Sequence, residues 1–266
     1  MKTVLITGAS SGMGKATALR LLADGYRVYA AARRVDHMAD LERQGATVMA
    51  MDITVDEQVV AAVDRITAEH GGVDVLVNSA GFGMYGAMED TSIADARYQF
   101  EVNVFGAARL TQLVLPYMRG RKAGTIVNIS SMGGKIYTPL GSWYHASKHA
   151  TEGWSDSLRL ELKPFGIDVV VVEPGFVDTE FGTVLLGSLI ERSAAGPYAD
   201  LTEKVARATR ENVGSPPSVI ADAVARAVAA RRPKTRYAAG RLAKPLIALR
   251  AVLSDRAYDR LVMSQV

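Results

Sequence analysis

The stretch Val4–Gly25, with the sequence VLITGASSGMGKATALRLLADG, decides the fold of this chain. Its first residues, Val4–Thr7, are mostly apolar and predict a buried strand, whereas the residues after Gly14 repeat apolar positions at helical spacing. Between strand and helix stand Gly8, Gly12 and Gly14. Glycines at such a turn let backbone N–H groups approach a phosphate at the positive end of the helix. A plain tight turn is the alternative, but the position directly after the first strand favours a nucleotide-binding loop.

The rest of the chain continues this alternation of strand and helix. Short apolar runs alternate with longer segments of helical period, which is typical of a parallel sheet covered by helices on both faces. The predicted strands are Val4–Thr7, Arg27–Ala31, Thr47–Met51, Val73–Asn78, Thr125–Ser130, Asp168–Glu173 and Arg236–Ala238. The predicted helices are Gly14–Asp24, Asp56–His70, Ile93–Arg119, Trp143–Phe165 and a segment from Pro216 to about Arg231. Neither a repeat nor a linker divides the chain, so we expect one domain over residues 1–266.

The composition excludes several classes of function. Because the sequence contains no cysteine, disulfides, thiolate zinc sites and cysteine nucleophiles are excluded, and we expect no metal. The formal charge is only +3, with 31 Lys+Arg against 28 Asp+Glu and no basic tract, so nucleic acid is not expected as a partner. The sequence shows neither an apolar run of membrane-spanning length nor a signal-peptide cleavage pattern, which favours a cytoplasmic protein.

A second stretch, Ser131–Lys148, predicts chemistry on a carbonyl group. Its sequence is SMGGKIYTPLGSWYHASK, in which Tyr144 and Lys148 are four residues apart and therefore lie on one face of a helix. A nearby ammonium lowers the pKa of a phenol toward neutral pH, so Tyr144 can exchange a proton with a carbonyl oxygen. Ser131, at the end of the predicted fifth strand, can donate a hydrogen bond to the same oxygen.

Together these motifs resemble the short-chain dehydrogenase/reductase family. The glycine motif of that family, Thr-Gly-x-x-x-Gly-x-Gly, is matched from Thr7 to Gly14, and its serine, tyrosine and lysine are matched in the second stretch. The resemblance covers about residues 1–240 and implies an α/β fold. That fold is a single Rossmann-type domain with a doubly wound parallel sheet of about seven strands in the order 3-2-1-4-5-6-7. The segment around GSWYHASKHATEG is most similar to hydroxysteroid and retinol-type dehydrogenases.

The resemblance also distinguishes between neighbouring candidates. The thirteen-residue spacing of serine and tyrosine in the family selects Ser131 over Ser130. The family adds Asn103, whose backbone would bind a water that links the lysine to solvent. The expected catalytic set is therefore Asn103, Ser131, Tyr144 and Lys148. His145 points about 100° away from the tyrosine around the helix, so we expect it at the surface or in a subunit interface.

The end of the second strand indicates which nicotinamide cofactor is used. An NAD site places a carboxylate there to bind the ribose 2′-OH, and this carboxylate would repel a 2′-phosphate. Here Arg33 and Arg34 follow the strand, and their guanidinium groups suit phosphate oxygens, with Ser10 as a helper. NADP(H) is therefore preferred over NAD(H), and Arg33 is the better candidate of the two. The alternative takes Asp36 as the acid that binds the ribose.

The resemblance implies the remaining cofactor contacts. Asp52 would cap the adenine amino group, and Ile53 would touch the ring. The turn at Pro174 and Gly175 would direct the chain toward the nicotinamide. The complete expected set of cofactor-binding residues is Gly8, Ser10, Ser11, Gly12, Met13, Gly14, Arg33, Arg34, Asp52, Ile53, Asn78, Ala80, Gly81, Tyr144, Lys148, Pro174, Gly175, Val177 and Thr179. One departure from the family is Ser79, where the family has asparagine.

The predicted substrate side is mostly apolar. The candidate residues are Met84, Tyr85, Ile136, Phe176 and Phe181. Neither an arginine nor a carboxylate is placed to bind an anionic group, so a hydrophobic ketone or aldehyde, or the matching secondary alcohol, fits best. Residues 178–214 contain small residues, turns and helical patches, and we expect them to form a mobile cap over this pocket.

The C-terminal segment, residues 241–266, alternates basic and apolar residues at helical spacing. We expect a helix packed over the pocket or over a partner subunit. A membrane-surface helix is the weaker alternative, because Pro245, Asp255 and Asp259 interrupt the basic face. The family resemblance implies a homodimer or homotetramer. Two other functions are open at this point, namely an NADPH-binding regulator without turnover and a membrane-associated scaffold that uses the C-terminal helix.

Overall fold

The carboxyl ends of parallel strands form the edge of the sheet on which the site is built. The computed structural model describes residues 1–266 and contains one sheet of seven strands. The strands are β1 (Thr3–Thr7), β2 (Arg27–Ala32), β3 (Thr47–Ala50), β4 (Val75–Asn78), β5 (Gly124–Ile129), β6 (Ile167–Pro174) and β7 (Arg236–Ala239). All neighbours pair in parallel, in the order β3-β2-β1-β4-β5-β6-β7. This confirms the predicted doubly wound sheet. Its strand order reverses between β1 and β4, and such a reversal opens a crevice at the carboxyl ends of these two strands.

Helices cover both faces of the sheet. They are α1 (Gly12–Ala23), α2 (Ala39–Arg43), α3 (Asp56–His70), α4 (Ile93–Phe100), α5 (Gly106–Arg121), α6 (Ser142–Leu162), α7 (Glu180–Ser193), α8 (Ala199–Glu211), α9 (Ser218–Ala229), α10 (Ala243–Val252) and α11 (Asp255–Met263). Successive residues of β1 point to opposite faces, so that Val4 and Ile6 pack with α1 and α9, whereas Leu5 packs with α3 and α5. None of the helices combines the length and apolarity needed to span a bilayer.

The long helix predicted over Ile93–Arg119 is interrupted. A π-helical turn, Glu101–Phe105, separates α4 from α5, and the N–H of Gly106 donates to the carbonyl of Glu101. This turn adds one residue to the helix and brings Asn103 against the loop after β4, where its amide bonds both backbone groups of Phe82. Such turns are frequent at functional sites because they redirect a side chain without ending the helix.

The predicted cap, residues 178–214, consists largely of α7 and α8, which pack on each other. Its mobility stays a prediction. The C-terminal segment forms α10 and α11, which pack on the chain just before α6. Tyr258 of α11 is fully buried there, and its hydroxyl donates to the carbonyl of Tyr137 at 3.3 Å.

Candidate active site

The loop after β1 requires glycine at three of its positions. Gly8 has φ +68° and Gly12 has φ +52°, a conformation that favours glycine. A Cβ added at Gly14 would lie 2.4 Å from the carbonyl oxygen of Gly8. The hydroxyl of Thr7 fixes the opposite side of the loop by accepting hydrogen bonds from the backbone N–H groups of Ser79 and Ala80 at 3.0 and 2.9 Å.

The N-terminus of α1 is available to an anion. Ser11 occupies the N-cap position in an extended conformation, but its side chain does not cap the first-turn N–H groups. Those donors lack intrahelical partners and carry the positive end of the helix dipole. A pyrophosphate fits this arrangement, since the glycine backbone allows it to approach closely.

The loop borders a cleft of ≈ 480 Å³, within the usual range for a small-molecule site. Most of the expected cofactor contacts line it, namely Gly8, Ser10, Ser11, Gly12, Met13, Gly14, Arg33, Arg34, Asp52, Ile53, Ala80, Gly81 and Thr179. The expected contacts that do not line this cleft are Asn78, Tyr144, Lys148, Pro174, Gly175 and Val177. The amide of Asn78 is buried and donates to Asn128 at 2.8 Å, so its side chain ties β4 to β5 instead of facing the cleft.

The ribose end of the cleft carries positive charge. Arg33 lines the cleft and donates to the hydroxyl of Tyr98 at 3.1 Å. Arg34 is held by Ser11 at 3.2 Å and by Glu180 at 2.9 Å. Asp36 does not line the cleft and lies in the 3₁₀ turn after the strand. The glycine cradle and the guanidinium donors of this cleft fit a dinucleotide cofactor.

The catalytic residues predicted from the sequence converge beyond this cleft. Tyr144 and Lys148 lie one turn apart on α6, and both are buried. Ser131 caps the short 3₁₀ turn Met132–Gly134, where its hydroxyl accepts from the N–H of Gly133 at 3.0 Å. The ammonium of Lys148 donates to the carbonyl of Ile129 at 3.0 Å, which fixes it at the end of β5.

Asn103 joins the same group of side chains through Gly81. A Cβ at Gly81 would lie 3.1 Å from Oδ1 of Asn103 and 3.7 Å from Nζ of Lys148. The side-chain amide of Asn103 also donates to the hydroxyl of Ser147 on α6 at 3.1 Å. The structure thus brings together the four residues that the sequence predicts, while the water expected at the Asn103 backbone stays a prediction.

The pKa of Tyr144 differs from the sequence expectation. Burial raises the pKa of its phenol, and the hydroxyl of Ser131 lowers it by less. The lowering of this pKa by Lys148 that the sequence predicts is not found, because burial leaves a phenolate poorly solvated and disfavours it. Burial also lowers the pKa of Lys148 to about 8, while the carboxylate of Glu152 acts in the opposite direction. Tyr144 is therefore a neutral phenol at neutral pH, which is the form that can donate a proton to a carbonyl.

The expectation for His145 is wrong. The side chain is buried, with 6% exposure, and does not lie at the surface. Its Nδ1 bonds the carbonyl of Gly133 at 2.9 Å, and its Nε2 accepts from the N–H of Thr138 at 3.1 Å. Burial lowers its pKa to about 4, so His145 is neutral and holds the segment between Ser131 and α6 in place. Ser130 is also buried and its hydroxyl has no hydrogen-bond partner, whereas the hydroxyl of Ser131 lies next to Tyr144. The choice of Ser131 over Ser130 stays a prediction.

An aromatic wall stands beside Tyr144. The ring of Tyr85 lies 5.9 Å and the ring of Phe181 lies 5.6 Å from the ring of Tyr144. Phe181 packs directly on the backbone of Gly83, where a Cβ would lie 2.4 Å from its ring. The hydroxyl of Tyr85 also bonds that of Thr138 at 3.1 Å, which anchors the wall to the segment before α6.

The apolar cluster around this wall includes only part of the predicted substrate residues. Its members are Tyr85, Ala87, Leu140, Tyr144, Leu185, Leu189, Val205 and Ala206, with Phe181, Leu186, Tyr198, Leu201 and Val266 packed against them. Met84 and Ile136 are buried outside the cluster, and Phe176 pairs through its backbone with Arg241. The sequence analysis names no substrate residue on α8, although Leu201 and Val205 already show the four-residue spacing of an apolar helix face.

The sequence and the fold of this chain are similar to those of known proteins. The family model described as short chain dehydrogenase matches residues 2–186. A 3-ketodihydrosphingosine reductase from Bacteroides thetaiotaomicron is 36% identical over 92% of this chain and 90% of the relative. Retinol dehydrogenase 8 from Bos taurus is 37% identical over 94% and 85% of the two chains. The crystal structure of a short-chain dehydrogenase from Streptomyces avermitilis has 35% identity and a TM-score of 0.85, and covers 98% of this chain and 95% of that chain.

Solved neighbours contain both forms of the cofactor. An alcohol dehydrogenase from the archaeon Thermococcus sibiricus is complexed with 5-hydroxy-NADP, with 26% identity, a TM-score of 0.72 and coverage of 89% and 94%. A short chain dehydrogenase/reductase from Burkholderia phymatum is in complex with NAD, with 28% identity, a TM-score of 0.79 and coverage of 94% and 92%. By its sequence match, its strand order and its site, the chain belongs to the short-chain dehydrogenase/reductase family of oxidoreductases.

Proposed function

We propose that this protein transfers a hydride between NADP(H) and a hydrophobic ketone or aldehyde, or the corresponding alcohol. The observation that carries the proposal is the placement of Ser131, Tyr144 and Lys148 between a dinucleotide cleft and an apolar wall. The relatives named as a 3-ketodihydrosphingosine reductase and a retinol dehydrogenase support this class of substrate. The test incubates the protein with a panel of carbonyls and NADPH, and with a panel of alcohols and NADP⁺. The absorbance of the reduced nicotinamide monitors both reactions.

The residues of the chain have distinct tasks in this reaction. The bound nicotinamide supplies or accepts the hydride. Tyr144 donates its phenolic proton to the carbonyl oxygen, and Ser131 donates a hydrogen bond that positions this oxygen. The positive charge of Lys148 stabilises the phenolate that Tyr144 becomes after donation. The apolar wall excludes water, which strengthens each of these interactions.

A pH dependence follows from the buried lysine. Because burial lowers the pKa of Lys148 to about 8, the amine loses its proton as the pH rises through that value. The neutral amine no longer stabilises the phenolate of Tyr144, so carbonyl reduction is expected to fall over this range. The kcat/KM for reduction, measured from neutral to alkaline pH, checks the expectation. A rate that stays constant well above the pKa of Lys148 would contradict it.

The preference for NADP(H) is proposed to depend mainly on Arg33. Arg34 already forms an ion pair with Glu180, whereas Arg33 has only Tyr98 as a side-chain partner. Arg33→Ala is expected to weaken NADPH binding about ten- to hundredfold, because charge-assisted hydrogen bonds to the 2′-phosphate are lost. NADH binding should change little. Fluorescence titration with NADPH and with NADH measures the two affinities. Arg34→Ala is the matched control and is expected to lose less affinity for NADPH. Tighter binding of NADH than of NADPH by the unsubstituted protein would contradict the proposed preference.

We also propose that the protein acts in the cytoplasm as a homodimer or homotetramer. The surface formed by α4, the π-helical turn and the start of α6 exposes large apolar side chains that one chain leaves uncovered. Ile93 is 52% exposed and Phe105 is 55% exposed, and both line a groove next to Trp143. A second copy of this chain would bury them.

A further inference from the structure

An acidic side chain of the cap stands in the cofactor cleft, where an anion is expected to bind. Glu180 is the first residue of α7 and lines the same cleft as the glycine loop and the two arginines after β2. Its Oε2 accepts a hydrogen bond from Nη2 of Arg34 at 2.9 Å. One of the two cations expected to bind the cofactor is therefore already paired with an acid.

Glu180 differs from the other charged groups of this cleft. The charged residues that line it are Arg33, Arg34, Asp52 and Glu180. The carboxylate of Asp52 accepts from the backbone N–H and the hydroxyl of Thr54, at 3.0 and 2.8 Å, within its own turn. Arg33 donates to a neutral tyrosine hydroxyl. Glu180 is thus the acid of the cleft whose carboxylate is hydrogen-bonded to a guanidinium.

The guanidinium of Arg34 is engaged from two sides. Its Nη2 donates to the hydroxyl of Ser11 at 3.2 Å as well as to Glu180. A guanidinium nitrogen of this kind carries two hydrogens, so both are in use. Arg34 also lowers the pKa of the Glu180 carboxyl, which is therefore ionised at neutral pH. A phosphate that approaches Arg34 meets a cation whose charge is partly compensated.

The cap is attached to the rest of the protein without this ion pair. The hydroxyl of Thr179 caps the first turn of α7. The hydroxyl of Ser188 accepts from the backbone N–H of Tyr85 at 2.9 Å, and that of Ser193 accepts from the N–H of Ala87 at 2.8 Å. The ion pair itself is about half exposed, and such pairs add little to stability. Its main consequence is therefore expected for the ligand of the cleft.

A carboxylate in this position has two effects of the same sign on a nearby phosphate. It compensates the charge of Arg34, and it repels the phosphate directly. A cofactor with a 2′-phosphate carries more negative charge at this end of the cleft than one with a free hydroxyl, so it is affected more. A repulsive group of this kind sets specificity as effectively as an attractive one.

We propose that Glu180 is a specificity-determining residue that weakens the binding of the 2′-phosphate and so limits the preference for NADP(H) over NAD(H). The inference rests on the proposed function in one respect, since it takes the arginines after β2 as the residues that face the 2′-phosphate. A different role is also testable, because an acid in the first turn of a helix stabilises the helix through its dipole. That role affects thermal unfolding and leaves the two cofactors equal.

The test compares the affinities for NADPH and NADH in Glu180→Gln. This change removes the charge and keeps the size of the side chain. Fluorescence titration is expected to show NADPH binding about fivefold tighter than in the unsubstituted protein, with a smaller change for NADH. The gain for NADPH should shrink at about 1 M salt, where charges are screened within a few ångströms. Thermal unfolding verifies that the variant is folded.

Glu191→Gln is the matched control. Glu191 lies near the other end of α7, is exposed and does not line the cleft. Its affinities for both cofactors are expected to equal those of the unsubstituted protein. An unchanged ratio of the two affinities in Glu180→Gln, a weaker binding of NADPH, or a gain that persists undiminished at high salt would overturn the proposal.

A double-mutant cycle tests whether Glu180 acts through Arg34. Arg34→Ala is expected to cost more NADPH affinity in the Glu180→Gln background than in the unsubstituted protein, because the guanidinium is then no longer compensated. An equal or smaller cost in that background would overturn the proposal. A protein that reduces none of the carbonyls tested would contradict the proposed function, whereas the cofactor titrations would still decide the role of Glu180.

Discussion

Tyr144→Phe is expected to reduce kcat for carbonyl reduction by a factor of about 10² to 10⁴, the usual contribution of a general acid. The substitution removes the hydroxyl that delivers the proton and keeps the ring that packs against Tyr85 and Phe181. NADPH affinity and thermal stability should change little. Steady-state kinetics on a carbonyl that the unsubstituted protein reduces, together with a cofactor titration, provides the measurement.

Tyr85→Phe is the matched control for this loss. Tyr85 is another buried tyrosine of the same wall, but its hydroxyl bonds Thr138 and His145. Removal of this hydroxyl is expected to alter KM more than kcat, because the change loosens the aromatic wall and leaves the hydroxyl of Tyr144 intact. Near-normal reduction by Tyr144→Phe, or an equal loss of kcat in both variants, would contradict the role of Tyr144.

Gly14→Ala is expected to abolish measurable NADPH binding under conditions that saturate the unsubstituted protein. The new Cβ would lie 2.4 Å from the carbonyl oxygen of Gly8, and both atoms are in rigid backbone, so the loop must shift. A displacement of about 1 Å in a positioned site can cost about 10²-fold. Overpacking of this kind also destabilises the fold by about 1 to 3 kcal/mol. Cofactor titration and thermal unfolding measure the two effects.

Gly153→Ala separates this effect from a general intolerance of alanine. Gly153 lies on the exposed side of α6, and a Cβ there would have no atom within 4 Å. Replacing glycine by alanine inside a helix stabilises it by about 1 kcal/mol. Gly153→Ala is therefore expected to melt slightly higher and to bind NADPH normally. Normal NADPH binding by Gly14→Ala would show that the loop does not contact the cofactor as proposed.

The sheet could be predicted from the sequence because its determinants are local. Each strand is a short, largely apolar run, and this pattern can be recognised in the sequence without knowledge of any tertiary contact. Predicted and observed ends differ by at most two residues, as in Val73–Asn78 against Val75–Asn78. The spacing of Tyr144 and Lys148 is also local, since it requires only that the segment is helical.

The features that the sequence did not predict depend on distant parts of the chain. His145 is buried because Gly133 and Thr138 supply the partners of its ring, and nothing in its own helix indicates them. The π-helical turn depends on the bonds between Asn103 and Phe82, which are 21 residues apart. Likewise, the raised pKa of Tyr144 follows from burial under the cap. Helical periodicity carries no information on such contacts.

The two halves of the active site differ in their relation to the family model. That model ends at residue 186, after the glycine loop, the catalytic residues and the first part of α7. Much of the apolar wall lies later, as Leu189, Leu201, Val205 and Val266 show. Tyr258 and Arg250 of the C-terminal helices clamp the ring of Tyr137 in front of α6. Substitutions in the last third of the chain can therefore reshape much of the apolar wall, while the residues that the family model matches stay the same.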